Sequence, residues 1–452
     1  MRKRIVILGS GESGTGAARL ARQKGFDVFV SDQGAIKPAY RSILVAENIE
    51  FEEGVHTPEK IFNAEIIVKS PGIPDKAPIV AQAKAYGIEV IDEIEFAFRY
   101  IKGKVIAITG TNGKTTTTLL TYHLLKGAGF NVALAGNVGE SLAAKVADGE
   151  HDWYVVEISS FQLDGTRTFS PHIGILTNIT PDHLDRYDYK MENYVSSKFR
   201  LAANMDSTSH FIYYGEDPVT AAAISGRNIS AKCHSVSLQS KNSGVYCNGT
   251  LMHIEVANQS LEISQSETTL KGPHNLLNTL CAVSAALLAG ADEKSIRQSL
   301  KTFVNAPHRL EPVGVIRGVE FVNDSKATNV DSVVYALGSY DQPLVWIAGG
   351  IDKGNDYAQI KDAVAKKVKA LICLGKDNKR LVDFFSPFVP KVSEVQDVRS
   401  LVRMALEQAA AGDVVLLSPA CASFDLFKNY EDRGNQFRAA VQELKAEQES
   451  RS

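Results

Sequence analysis

Apolar residues along this chain come in short runs that break into glycine or polar residues, and the runs are separated by segments with helical spacing. From residue 4 to about 92 the order is "RIVIL" (4–8), "GTGAARLARQKG" (14–25), "DVFVSD" (27–32), "AEIIVKSPGI" (64–73), "APIVAQAKAYG" (77–87) and "IEVID" (88–92). Near-continuous apolar strands alternating with amphipathic helices predict a parallel sheet covered on both faces. "DEIEFAFRYIKGK" (92–104) reads as a helix leading into a second unit.

That unit opens with the strand and loop "VIAITGTNGKTTT" (105–117) and the helix "TTTLLTYHLLKGAG" (116–129), which stops at a glycine. "WYVVEISS" (153–160), "PHIGILTNI" (171–179) and a helix around "MENYVSSKFRLAANM" (191–205) follow. Between about 210 and 271 the texture alternates, and Asn248-Gly249 is a hairpin signal, which predicts an antiparallel appendage on the sheet. The helix "HNLLNTLCAVSAALLAG" (274–290) returns the chain to the core, and from about 305 the runs "VEFVNDS", "LVWIAGGID", "ALICLGKD" and "DVVLLSPACASFD" predict a third α/β unit. The tail "ELKAEQESRS" (443–452) is charged and is expected to fray. The expected division is 1–94, 95–304 and 305–452.

Length and composition agree with several ordinary domains: 452 residues, 44% hydrophobic and 22% charged. A formal charge of −3 gives no general attraction to nucleic acid or anionic membrane, so anion affinity must be local. The five cysteines are scattered and never spaced C-x-x-C, which argues against a disulfide framework or structural zinc. No run approaches the ~18 apolar residues of a membrane span. A cytoplasmic protein with no nucleic-acid partner and no membrane insertion is expected.

Two glycine loops carry the chemistry. Gly9-x-Gly11-x-x-Gly14 follows a strand, opens a helix, and precedes Asp32 at the end of the next strand. This pattern holds a diphosphate on a helix N-terminus with the acid on a ribose hydroxyl. It does not distinguish a dinucleotide from a nucleotide diphosphate-sugar, and a glycine-rich turn without ligand has the same letters. Gly110-Thr111-Asn112-Gly113-Lys114-Thr115 departs from the full phosphate-loop form because Ile108 stands where the first glycine would fall. The physics is the same: bare N–H groups wrap phosphate oxygens, Lys114 supplies a mobile charge, and Thr115 offers a hydroxyl to magnesium.

Glu157 ends an apolar strand, where a metal would gather. Asp182, His183 and Asp185 follow another, with a capping or packing role open for His183. By helical spacing alone, Lys198 is a surface lysine. His308-Arg309 lies near the entry to the third unit, and "NDSKATN" (323–329), "GGIDKGNDY" (349–357) and "SPACASFDLFKNYEDRG" (418–434) all follow apolar strands, as though closing over a ligand.

Taken together, "TGTNGKTTT", "GNVG" (136–139), "VVEISSFQL", "TPDHLDRY", "GPHNLLN", "PHRLE", "VNDSKATN" and "LLSPACASFDLFKNYEDRGN" resemble the Mur ligases nearly end to end, and with "SPGI" (70–73) they are similar to the branch of that family that adds D-glutamate. The resemblance implies a three-domain α/β fold: Rossmann-like first and last domains and a central phosphate-loop ATPase-like sheet. It implies an amide-forming ligase that uses ATP and two Mg2+ ions to join D-glutamate to UDP-N-acetylmuramoyl-L-alanine through an acyl phosphate, working as a monomer. On matching positions, Gly110, Thr111, Asn112, Gly113, Lys114, Thr115, Thr116, Asn275, Arg309 and Asp324 would meet ATP. Thr115, Glu157, His183 and a carbamylated Lys198 would hold metal, with Lys326 a further catalytic position. Glu12, Ser13, Asp32, Ser70, Gly72, Asn137 and Ser159 would contact the uridylated substrate, and Thr328, Lys353, Ser423 and Tyr430 the D-glutamate. Two positions depart from the family pattern: Tyr430 stands for a phenylalanine, and Glu12-Ser13 for an apolar residue and threonine.

Two other readings compete. A nicotinamide oxidoreductase accounts for the first loop and leaves the second unexplained. A nucleotide-driven switch accounts for the second, but the chain contains neither N-K-x-D nor D-x-x-G.

Overall fold

The computed structural model describes residues 3–239, 241 and 243–450. The first apolar runs form β1 (Arg4–Leu8), β2 (Asp27–Asp32), β3 (Glu50–Glu53), β4 (Ile66–Lys69) and β5 (Glu89–Asp92), ordered β3-β2-β1-β4-β5 with all neighbours parallel. β3 reads "EFEE", an edge strand with one apolar residue, so no apolar run announced it. The order reverses between β1 and β4, and the loops leaving these two strands meet at their carboxyl ends, where Gly9 packs against Ser70.

The second sheet holds β6 (Lys104–Thr109), β7 (Val132–Gly136), β8 (Trp153–Glu157), β9 (Ile173–Leu176), β10 (His210–Tyr214), β11 (Lys232–Ser237), β12 (Val245–Asn248), β13 (Leu251–Val256) and β14 (Gln259–Ser264). Their order is β14-β13-β12-β11-β10-β9-β6-β8-β7. The expected antiparallel appendage is smaller than 210–271. β10 pairs parallel with both β9 and β11, because the helix Pro218–Ser225, capped by Asp217, returns the chain in a crossover. Only β12, β13 and β14 pair antiparallel, and Gly249, at φ +63°, lies in the hairpin between Asn248 and its partner Leu251.

The third sheet consists of β15 (Glu311–Ile316), β16 (Val319–Asn323), β17 (Leu344–Ala348), β18 (Val368–Leu374), β19 (Val392–Val395) and β20 (Val414–Leu417), ordered β15-β16-β20-β17-β18-β19. β15 is antiparallel to β16 and the remaining pairs are parallel. The tail is not frayed where it is described: the helix Tyr430–Glu449 runs through it. Val441 and Leu444 bury against this sheet, and Arg399 and Arg403 pair with Glu443 and Glu447.

By contact density the chain divides into two compact units, 1–269 with 276–303, and 270–275 with 304–452. The first unit contains two sheets because they share one apolar cluster, including Ile5, Val30, Ile94, Val105, Val156 and Phe169. The helix Glu12–Gln23 lies so close to Leu142–Asp148 that a Cβ at Gly16 would fall 2.1 Å from the Ser141 hydroxyl.

The junction helix Glu93–Phe98 fastens the two sheets through carboxylates. Asp92 caps it by accepting from the Ile94 N–H at 3.0 Å, Glu93 accepts from the Ala143 N–H, and Glu95 accepts from the backbone N–H groups of Arg167, Thr168 and Phe169. Asp92 and Glu93 are fully buried, and one oxygen of each has no partner. Burial pushes Asp92 up to about 7 and Glu93 to about 8, the adjacent Asp92 charge adding to the second. The folded state therefore keeps protons that the unfolded chain releases near pH 4. This stabilisation is complete below that point and is lost as pH rises through 7 to 8. Unfolding free energies from urea titrations should fall between pH 5 and 8.5 with a slope approaching about 1.4 kcal/mol per pH unit for each such proton. Glu93→Gln should flatten that decline; a variant tracking the parent protein across the range would assign the slope elsewhere.

Candidate functional site

In the first unit, β1 delivers the chain into a loop whose glycines are dictated by space. Gly9 has φ +87° and a Cβ there would strike the Ser70 hydroxyl at 2.6 Å, while a Cβ on Gly14 would lie 1.8 Å from the Gly9 carbonyl oxygen. Nothing lies within 4 Å of a Cβ on Gly11, which leaves an open approach at the start of the helix Glu12–Gln23. Asp32 braces this loop: one oxygen accepts from the Ser10 N–H at 2.6 Å and hydroxyl at 2.8 Å, the other from the Gly34 N–H. Burial raises its pKa, but these donors prevail and hold it below the usual range. Glu12 accepts from the Ser141 N–H at 3.3 Å and the Tyr40 hydroxyl at 3.4 Å, so it ties the loop to the second sheet. Ser13 sits in the same helical turn, and Ser70 and Gly72 in the loop after β4.

The second loop leaves β6 and enters the helix Lys114–Gly127. Gly113, its N-cap, has φ +84°, and a Cβ there would meet Asn278 Oδ1 at 2.4 Å; a Cβ on Gly110 would meet Thr177 Oγ1 at 1.9 Å. Thr111 bonds to Tyr194 and to the Thr180 carbonyl, and the Asn112 N–H donates to Asn178 Oδ1. Thr115 and Thr116 lie buried in the first turn.

Two lysines converge on this loop. Lys114 Nζ donates to the carbonyls of Gly110 at 2.9 Å and Thr111 at 2.8 Å. Lys198 Nζ donates to the same Gly110 carbonyl at 2.8 Å and lies 4.5 Å from the centre of the Tyr194 ring. Lys198 is 2% exposed, which overturns its reading as a surface residue: the helix Met191–Phe199 buries the face carrying Tyr194, Val195 and Lys198. Burial, reinforced by Lys114, pushes its pKa well below the ordinary lysine value; Asp182 and Asp164 oppose this.

Glu157, at the end of β8, is 1% exposed. Asn137 grips it twice, its side chain donating to Oε1 at 2.8 Å and its N–H to the Glu157 carbonyl at 2.9 Å, while Oε2 is buried without a partner. Ser159 caps the helix Ser160–Asp164 in a reciprocal box with Gln162. His183 adopts φ +52°, leaves its side chain 54% exposed, and places Nε2 3.6 Å from Asp182 Oδ2. Among the described residues, no three His, Cys, Asp or Glu side chains are grouped to hold a metal by themselves.

In the second unit the loops after β16, β17 and β20 meet around Arg433, which is 1% exposed. Its guanidinium donates to the Ser325 hydroxyl and carbonyl at 3.0 and 2.9 Å, to the Gly349 carbonyl at 3.3 Å and to the Cys421 carbonyl at 3.2 Å. Asp324 accepts from the Ser418 hydroxyl and the Leu310 N–H, and burial raises its pKa to about 7. Lys326 Nζ lies 5.1 Å from the Tyr430 ring centre, Thr328 follows in the same loop, Lys353 is exposed in the next, and Ser423 is buried in the third. Asn275 is buried and donates to the Lys271 carbonyl, and the Arg309 charge helps burial lower His274 to about 4. The sequence reading missed Arg433 and the Asn137–Glu157 grip. Neither has a local signal beyond lying inside a polar stretch after a strand.

Three sequence-family models cover most of the chain: "Mur ligase MurD-like, N-terminal domain" at 3–92, "Mur ligase middle domain" at 108–286 and "Mur ligase, glutamate ligase domain" at 308–421. UDP-N-acetylmuramoylalanine–D-glutamate ligase of Cytophaga hutchinsonii is 51% identical over 448 residues, covering 98% of this chain and 100% of that protein. The protein of the same name from Bacteroides thetaiotaomicron is 49% identical over 449 residues, with 98% and 100% covered. Among solved structures, UDP-N-acetylmuramate-alanine ligase MurC of Thermotoga maritima matches with a TM-score of 0.63 at 18% identity, covering 98% of this chain and 100% of that one, a likeness of fold.

Arg433→Met keeps the aliphatic stem and strands four acceptors, so the second unit should lose about 3 kcal/mol in urea unfolding. Arg433→Lys should recover little, because one ammonium cannot span the same acceptors. A loss below about 1 kcal/mol would show that these loops hold without it.

Proposed function

The chain belongs to the Mur ligase family, and from that premise we propose that it is an ATP-dependent ligase that joins D-glutamate to UDP-N-acetylmuramoyl-L-alanine in peptidoglycan precursor synthesis, with three domains at 1–94, 95–304 and 305–452. The observation that carries the reading is the pair of separate glycine loops, one after β1 and one after β6, each opening a helix. Two anion cradles suit two molecules: the first takes the uridine diphosphate of the substrate, with Glu12, Ser13, Asp32, Ser70, Gly72, Asn137 and Ser159 around it, and the second takes ATP along Gly110–Thr116.

The substrate carboxylate attacks the γ-phosphate of ATP, and two like charges at 4 Å repel by about 4 kcal/mol at an effective dielectric of 20. Left uncompensated, that slows attack roughly a thousandfold. Lys114 lies at the start of the loop helix, where a modest swing from its carbonyl partners brings its charge to the transferring phosphate. The acyl phosphate so formed reacts with the amine of D-glutamate, which Thr328, Lys353, Ser423 and Tyr430 receive, while Asn275, Arg309, Asp324 and Lys326 serve the nucleotide and the transfer. The tyrosine hydroxyl of Tyr430 distinguishes this pocket from the phenylalanine of the family pattern.

The donor set suits Mg2+, a hard cation that keeps waters and takes few protein oxygens. Glu157 has a buried oxygen awaiting a partner, and Thr115 offers a hydroxyl in the adjacent turn. Thr115, Glu157 and His183 would hold the metal, which neutralises phosphate charge when bound. Lys198 is suited to carbamylation because a depressed pKa leaves its amine neutral and nucleophilic toward CO2. The product is an anion, positioned to help hold a second ion. The protein is expected to work as a cytoplasmic monomer.

Phosphate release from ATP should require both UDP-N-acetylmuramoyl-L-alanine and D-glutamate, and presenting D-glutamate, L-alanine, L-lysine and diaminopimelate in parallel should give turnover with D-glutamate alone. Hydrolysis unaffected by either substrate would support a switch instead. Lys114→Ala should lower turnover by at least about a hundredfold without lowering the melting temperature, because the loop glycines and helix remain. Lys198→Ala should be inactive and partly restored by short carboxylates; full activity without them would remove the carbamate.

A further inference from the structure

The turn that carries His183 is closed by its own backbone bonds and held on one side by the buried Tyr187, whose hydroxyl bonds to Asp164 and Ser197, while the His183 end is held by fewer contacts. It consists of the short 3-10 segment Leu184–Tyr187 bracketed by left-handed residues, His183 at φ +52°, Asp188 at +55° and Tyr189 at +57°. Such conformations are uncommon for residues with side chains and persist when neighbouring contacts impose them. The His183 side chain is half exposed, and its described contacts are Asp182 and the edge of the Phe161 ring, 5.3 Å away between centroids. Phe161 in turn carries the Arg186 guanidinium, whose centre is 4.3 Å from the ring centroid, and stacks on Tyr187 at 6.0 Å.

Arg186 also reaches out of its own turn. Nη2 donates to the Pro71 carbonyl at 3.2 Å and Nη1 to the Gly72 carbonyl at 3.5 Å, in the loop after β4, more than a hundred residues earlier in the chain. Its N–H closes the turn on the His183 carbonyl at 3.0 Å. It makes no ion pair with a carboxylate among the described residues, so its charge is spent on backbone carbonyls and a ring face. That arrangement suits a planar guanidinium, which stacks and donates in its own plane at the same time. A cavity of about 520 Å³ flanks this bridge, lined among others by Lys69, Asp75, Phe161 and Arg186.

We propose that Arg186 is a positioning residue that latches the 70–73 loop to the 181–188 turn, so that seating the UDP-substrate against Ser70 and Gly72 also fixes His183. This rests on the ligase reading above, in which those residues serve substrate and metal. Arg186 acts through Phe161 and through two carbonyls, and touches no reacting atom. Loss of the guanidinium frees both segments together, since Phe161 loses the cover on one face and the loop loses its two donors.

The test uses the full chain as wild type, Arg186→Ala, Arg186→Lys, Phe161→Ala and the double variant Arg186→Ala/Phe161→Ala. Backbone amide exchange without ligands should speed up in both 70–73 and 181–188 in Arg186→Ala; unchanged exchange in either segment overturns the latch. Calorimetry with UDP-N-acetylmuramoyl-L-alanine, in chelator and without nucleotide, should show affinity about tenfold weaker for Arg186→Ala, the scale of losing bonds from a charged donor. Arg186→Lys should recover only a small part, and the double variant should lose less than the product of the single losses. In turnover, KM for the UDP-substrate should rise while KM for ATP stays within twofold. Binding within twofold of wild type, or equal rises in both KM values, overturns the proposal. Failure of the wild-type protein to bind the UDP-substrate would sink the ligase reading instead, leaving amide exchange to judge the latch alone.

Discussion

Two lysine side chains donate to one carbonyl oxygen, that of Gly110, and this crowding shapes the electrostatics around the second glycine loop. Within about 6 Å of each other, two cations repel by roughly 3 kcal/mol at an effective dielectric of 20. One of them, Lys198, is also sealed from water against Tyr194, where a charge is least welcome. Burial and the neighbouring Lys114 charge together push the Lys198 pKa well down from the ordinary lysine value. The fold thus sets two chemically identical side chains in different surroundings, Lys198 sealed from water and Lys114 half-buried at the start of its helix.

The same loop is held by exclusion of volume. Gly110 and Gly113 are pressed against Thr177 and Asn278, residues from different parts of the chain, so the loop shape is set by neighbours and the glycines are what permits it. The first loop obeys the same rule, with Gly14 against its own Gly9 carbonyl and Asp32 bracing Ser10. In the second unit the organising element is a cation: Arg433 satisfies carbonyls from three loops at once, and Gly434 leaves the space that the His308 ring occupies.

Carboxylates do structural work that composition hides. Asp92, Glu93 and Glu95 lie within four residues at the start of the junction helix, and all three are buried and bond to backbone N–H groups. Glu157 is likewise buried with one oxygen bonded, to the Asn137 side chain, and one left over, as Asp92 and Glu93 are to single backbone N–H groups. What separates them is place: Asp92 and Glu93 lie at the junction helix between the two sheets, and Glu157 ends β8 beside the second glycine loop.

Periodicity alone was enough for most strands of the parallel sheets, because a strand buried on both faces has to be apolar throughout, and for the two glycine loops, because only glycine allows that backbone. It missed three parallel strands, β3, whose single apolar residue leaves no run, and the short β7 and β19, and it assigned β10 to the wrong kind of pairing, since strand direction depends on the crossover helix Pro218–Ser225. Helical spacing put Lys198 on the surface, while the motif resemblance put it among the candidate site residues; the structure buries it. Arg433, Arg186 and the Asn137–Glu157 grip belong to the tertiary structure alone. Each joins segments far apart in the chain, and burial and partnership at such distances are properties of packing that no local pattern of residues encodes.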